Sequence, residues 1–139
     1  STLRMNKTHL GLVLVAVAAL SGCSDHPVDR LFALAEALDD ETCACPWAAD
    51  EDYCTMPDGP TSAEIACIKS IYDRNEAQVQ PFLSCASDAA SDVLRCFDRG
   101  VMCDVEAYSA CYEAYEPQID ACPGVPVAIE EMLNDCTVE

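Results

Sequence analysis

CASDAASDVLRC (residues 85–96) and CYEAYEPQIDAC (residues 111–122) are two segments of equal length, each closed by cysteines eleven residues apart. Eleven residues is about three helical turns, so both sulfurs of a segment lie on one helix face. Fold the chain back near residue 103, and Cys96 faces Cys111 while Cys85 faces Cys122. Two disulfide rungs would then lock an antiparallel helical hairpin.

The flanking sequence reads as more helix. Ala, Leu, Glu and Asp are abundant, Gly is sparse, and no period-2 run stands out. Leu31, Leu34, Ala35 and Leu38 follow i, i+3, i+4, i+7 spacing and predict a first helix over 28–38, opened by Pro27. Asp39, Asp40 and Glu41 then oppose the macrodipole at its C-terminal end. That helix is expected to stop there, or to reach Thr42 at some cost. Residues 43–60 read as an irregular loop with three prolines, pinned by two or three bridges. Thr61 and Glu64 match a capping box, and Ile65, Ile68, Ile71 and Tyr72 predict a second helix over 62–74. The third is expected from Pro81 to Arg99, with Phe82, Ala86, Ala89, Val93 and Phe97 on one stripe and Gly100 as its stop. Asp104 caps a fourth, carrying Tyr108, Cys111, Tyr112 and Tyr115, which Pro117 is expected to end or kink. Pro126 starts a fifth, with Ile129, Met132 and Leu133. The expected fold is all-α: a small disulfide-stapled helical bundle of about four to five short helices.

The paired spacing resembles the twin-CX9C (coiled-coil-helix-coiled-coil-helix) arrangement of small disulfide proteins, with ten intervening residues in place of nine. The likeness is one of geometry rather than kinship. That family typically sits in the mitochondrial intermembrane space, and this chain opens on a different kind of signal. The pairing of Cys43, Cys45, Cys54, Cys67, Cys103 and Cys136 cannot be read from spacing.

Met5 reads as the initiator, followed by Lys7 and His9, with Arg4 just ahead. Leu10 to Leu20 is apolar throughout, and too short to span a bilayer, which takes about 20 residues. It fits the h-region of a secretory signal peptide. Leu20-Ser21-Gly22-Cys23 closes it, and the whole of 5–23 resembles a bacterial prolipoprotein signal with its lipobox. The resemblance implies a diacylglyceryl group on the Cys23 sulfur, cleavage before Cys23 by signal peptidase II, and acylation of the new amino terminus. Two or three acyl chains anchor stably where one binds marginally. The chain then divides into a signal peptide at 1–22 (1–4 reading as an upstream scar), an anchor and short tether at 23–27, and a cysteine-rich helical domain at 28–139. In a Gram-negative cell, Ser24 after the lipidated cysteine resembles the default for the outer membrane. The covalent lipid is the one prosthetic group expected; no cofactor or metal is.

Cleavage would remove 22 of the 139 residues and leave 117, one domain's worth. Loss of Arg4 and Lys7 takes seven basic residues to five against 25 acidic, and the formal charge from −18 to −20. Such a charge argues against nucleic acid as a partner and against lying on an anionic membrane. It also strains a compact state by self-repulsion. Ten cysteines remain once Cys23 carries lipid, an even set suited to a disulfide framework. Five bridges at roughly 2–4 kcal/mol each would offset much of that repulsion.

Candidate chemistry is sparse. Cys43-Ala44-Cys45 could bind a soft metal or exchange disulfides. The plainer reading is two structural half-cystines, since no nearby cation would lower a thiol pKa. His26 is placed in the tether, away from any Ser-His-Asp arrangement. Lys69, the sole lysine after cleavage, reads as a solvated face residue. Asp50, Glu51, Asp52 and Asp58 read as a solvated acidic loop; an EF-hand pattern fails because Cys54 takes its third ligand position. Trp47 reads as a plug against the bridges, and the tyrosine row as core packing. The expected function is a non-catalytic, lipid-anchored envelope lipoprotein, structural or protein-interacting, held to the membrane by its lipid and meeting an envelope protein partner. The alternatives are a metal-binding or thiol-redox accessory using Cys43 and Cys45, and an inhibitor-like scaffold presenting loop 46–60.

Overall fold

The computed structural model describes residues 26–55, 59–98 and 103–137. Six α-helices run through them, and no strand is present among the described residues: α1 Pro27–Cys43, α2 Asp52–Thr55, α3 Ser62–Arg74, α4 Glu76–Phe97, α5 Val105–Asp120 and α6 Val127–Asp135. The one element the periodicity does not contain is α2, a single turn inside the loop after α1. Its amides at Cys54 and Thr55 both bond back to the Glu51 carbonyl, at 2.9 and 3.1 Å.

Helix α4 is the axis of the bundle, with α1, α3 and α5 packed against it. Its stripe of Phe82, Ala86, Ala89, Val93 and Phe97 is buried throughout. The alanines let α1 approach closely. The apolar interior divides into two clusters along α4. At one end Val79, Phe82 and Leu83 meet Val28 of α1, Ile71 and Tyr72 of α3, and Ile129 and Leu133 of α6. At the other, Ala90, Val93 and Phe97 meet Leu38 of α1 and the tyrosine row of α5.

Five disulfides staple this arrangement: Cys43–Cys54, Cys45–Cys103, Cys67–Cys136, Cys85–Cys122 and Cys96–Cys111. Cys96–Cys111 and Cys85–Cys122 are the inner and outer rungs of the α4–α5 hairpin, with Cα atoms 5.9 and 5.6 Å apart. Cys67–Cys136 ties α6 to α3. Cys43–Cys54 and Cys45–Cys103 hold the loop after α1 against α2 and the start of α5.

Several helix ends differ from expectation, each for a local reason. The first helix runs past 38 to Cys43 despite its acidic run. Asp39 and Thr42 are buried (8% and 3% exposed), and Thr42 Oγ1 donates back to the Leu38 carbonyl one turn earlier at 2.8 Å, so its hydroxyl is satisfied within the helix. The helix over 81–99 starts five residues earlier, at Glu76. Asn75 joins it to α3, its Nδ2 donating to the Ile71 carbonyl at 2.9 Å. Pro81 is exposed, so the carbonyl it fails to bond lies at the solvent side. Pro117 does not end α5, which continues to Asp120. This proline is also exposed, and the Cys85–Cys122 rung holds the chain just beyond it. Pro126 stands at the N-cap of α6, one position before its first residue. The capping box of α3 forms as the sequence expects: Glu64 N–H donates to Thr61 Oγ1 at 3.2 Å and Thr61 N–H to Glu64 Oε2 at 2.7 Å. Asp104 caps α5, its Oδ1 accepting from Ala107 N–H at 2.9 Å.

Two residues placed in solvent by sequence belong to the framework. His26 is the N-cap of α1, not a free tether residue. Its Nδ1 accepts from Val28 N–H at 3.2 Å, its Nε2 donates to Asp73 at 3.0 Å, and its ring lies edge-on to Tyr72. Pro27 is likewise the first residue of α1, so the expected 23–27 tether loses its last two residues to the bundle. Lys69 is half-buried and donates to Asp29 at 2.7 Å, crossing from α3 to α1 rather than facing solvent.

Candidate functional site

The C-terminal end of α1 meets α2 and α5 around a cleft of about 410 Å³. Asp39, Thr42, Tyr53, Tyr108, Ser109, Tyr112, Glu113 and Glu116 line it. Three elements supply these side chains, and two disulfides bring them together. Cys43–Cys54 folds α2 back beside the end of α1 and so delivers Tyr53. Cys45–Cys103 holds the first turn of α5 against the same end and so delivers Tyr108 and Ser109.

Tyr108 and Tyr112 belong to one helical row with Tyr115, at i, i+4 and i+7. Tyr108 stacks on Phe97 with centroids 5.1 Å apart, meets Tyr112 at 4.9 Å, and takes Trp47 edge-on at 4.7 Å. Trp47 Nε1 donates to the Cys103 carbonyl at 3.1 Å, so the indole closes the loop over the Cys45–Cys103 bridge. The plug reading of Trp47 and the packing reading of the tyrosine row describe these contacts, but Tyr108 and Tyr112 also line the cleft.

The hydroxyls form a chain. Thr42 gives its proton to the Leu38 carbonyl, so its oxygen is left to accept from the Tyr108 phenol, 3.1 Å away. Burial pushes the Tyr112 phenol far above its usual value; its hydrogen bond with Tyr108, the field of Tyr108 and the charge of Asp39 push the same way, while a hydrogen bond with Thr42 opposes them. Tyr53 is raised by burial first, then by Tyr108, Glu51 and Asp39. Burial also raises Tyr115. These phenols therefore stay neutral at physiological pH, as hydrogen-bonding and π groups beside carboxylates. Thr42→Val keeps the volume and removes the acceptor. It is expected to destabilise the oxidised protein by about 0.5–1.5 kcal/mol, the net worth of a hydrogen bond to a half-buried phenol. Denaturant titration of both proteins measures this, and an unchanged midpoint would show that the chain of hydroxyls holds nothing.

The sequence singled out Tyr108 and Tyr112 but not Asp39, Thr42, Tyr53, Ser109, Glu113 or Glu116. Only Glu116 carried a signal, four residues after Tyr112 on one helix face. Cys23 and Asp58 lie outside the described residues. Cys43 and Cys45 are both half-cystines with distant partners, so neither presents a thiolate. Asp50, Glu51 and Asp52 are exposed. Among the described residues no group of three or more His, Cys, Asp or Glu is placed to hold a metal ion, and no helix is long and apolar enough to cross a membrane. The chain matches no protein-family model, no curated protein and no solved structure in the comparisons made. Fold and bridges define a small disulfide-stapled helical domain.

Proposed function

We propose that this chain is a non-catalytic, lipid-anchored cell-envelope protein that serves as a structural or protein-interaction module. The observation that carries the reading is cysteine parity. The five bridges consume all ten cysteines of the helical body, leaving the eleventh, Cys23, at the end of a lipobox-like signal. A thiol with no intramolecular partner in an exporting compartment needs another use, and thioether linkage to a lipid is the one its local sequence suits. Helix α1 begins at Pro27, four residues after Cys23. A body tethered so closely sits beside the headgroups, and its acidity restricts it to neutral or basic partners. In a cell with two membranes, Ser24 favours the outer one.

Intact mass of the protein extracted from host membranes tests the reading. The expected species begins at Cys23, carries two or three acyl chains, and is ten hydrogen atoms lighter than its reduced form. A species with an unmodified residue 23 overturns it.

A further inference from the structure

Three features of the cleft between α1, α2 and α5 point to the same ligand chemistry. First, its wall combines phenols (Tyr53, Tyr108, Tyr112) with carboxylates (Asp39, Glu113, Glu116). Aromatic rings beside carboxylates attract organic cations through ring quadrupole and charge together. Second, the last turn of α1 ends at the cleft and contains no basic residue, so the negative end of its macrodipole adds to that field. Third, none of the cleft-lining residues is basic, and two of the protein's cations pair elsewhere: Lys69 with Asp29, and Arg95 with Asp92.

We propose that this cleft receives a lysine or arginine side chain from a basic segment of a partner protein. The volume of about 410 Å³ is at the small end of ligand pockets, enough for one long side chain and the backbone that bears it. A bare metal ion fits less well, because no three carboxylates converge and phenol faces add nothing to its coordination. A polypeptide source follows from the charge of −18, which steers basic macromolecules far more strongly than small monovalent ions. Position agrees with it. Asp39 and Thr42 lie 12 and 15 residues along α1 from Pro27, about 18–22 Å at helical rise, so the cleft opens at the end of α1 remote from its first residue. The proposal rests on the interaction-module reading but not on the anchor.

The test uses the full oxidised chain in detergent micelles, titrated calorimetrically with a short acetylated and amidated Gly/Ser peptide carrying arginines. Saturable binding is expected, at least about tenfold tighter than to the same peptide with citrulline in place of arginine. The Glu113→Gln/Glu116→Gln double variant should weaken it about fivefold to tenfold, the scale of two partly exposed ion pairs. Glu131→Gln, at an exposed position of α6, should leave it unchanged. Equal binding of the citrulline peptide overturns the proposal, as does an equal loss in the Glu131 variant, which would mean diffuse attraction. N-acetyl-arginine amide binding as tightly as the peptide would assign the cleft to free cations instead. Calcium displacing the peptide at equimolar amounts would assign it to a metal. An unlipidated Cys23 leaves all these outcomes intact, so failure of the anchor and failure of the cleft are separately visible.

Discussion

Reducing all five bridges should unfold the domain at neutral pH. Helical ellipticity in the far ultraviolet should fall towards a coil value, and the near-ultraviolet signal of the tyrosine row should vanish. The reason is the balance of small terms. Isolated helices shorter than about 12–15 residues are marginal in water, and α6 has nine residues, α3 thirteen. The core is two modest clusters, and the chain carries −18 charges that repel in the compact state. Each bridge contributes roughly 2–4 kcal/mol, so together they are comparable to the whole stability of a domain, about 5–15 kcal/mol. Loop closure ranks them. Replacing Cys67 and Cys136, 69 residues apart, by alanine should cost about 4 kcal/mol; replacing Cys96 and Cys111, 15 apart, about 3 kcal/mol. Circular dichroism with thiol counting checks the main result. Native ellipticity with all ten thiols free would show that the helical packing suffices alone.

Cys23→Ser should abolish lipidation and cleavage together. When the full chain is expressed in a bacterial host fed labelled fatty acid, the parent protein should carry label and the variant none. The variant should persist as the longer precursor, because the peptidase that the lipobox resemblance implies acts after lipid is attached. The effect should be complete rather than graded, since two acyl chains or more separate stable anchoring from none. A Cys103→Ser variant is the control: it removes a bridge and should keep the label. Label retained on Cys23→Ser would move the lipid elsewhere and remove the proposed address.

Local periodicity carries much of this fold. The bounds 62–74 of α3 follow from a capping box and an isoleucine stripe, both short-range. The α4 stripe is legible because a 3.6-residue period survives whatever packs on it. The hairpin rungs are legible because two helices of equal cysteine spacing have one symmetric way to meet. Helix ends are less legible. Asp39, Asp40 and Glu41 look like a stop when only the macrodipole is weighed. Burial of Thr42 and two disulfides just beyond outweigh about 0.3–1 kcal/mol of unfavourable dipole per charge. Pro81 and Pro117 look like breakers until their exposure is known, for an unbonded carbonyl facing water costs little. His26 looks like tether because its partners, Asp73 and Tyr72, are some 47 residues away.

The amino-acid sequence by itself determined the helical class, the stripe of α4, the two hairpin rungs and the even cysteine set of the body, because these depend on spacing within one or two elements. The tertiary structure alone decided the partners of Cys43, Cys45, Cys54, Cys67, Cys103 and Cys136, the role of Lys69 as a cross-helix pair, and the phenol-and-carboxylate cleft. Each of those joins residues tens of positions apart, and no periodicity along a chain encodes which distant surfaces will come to share one wall.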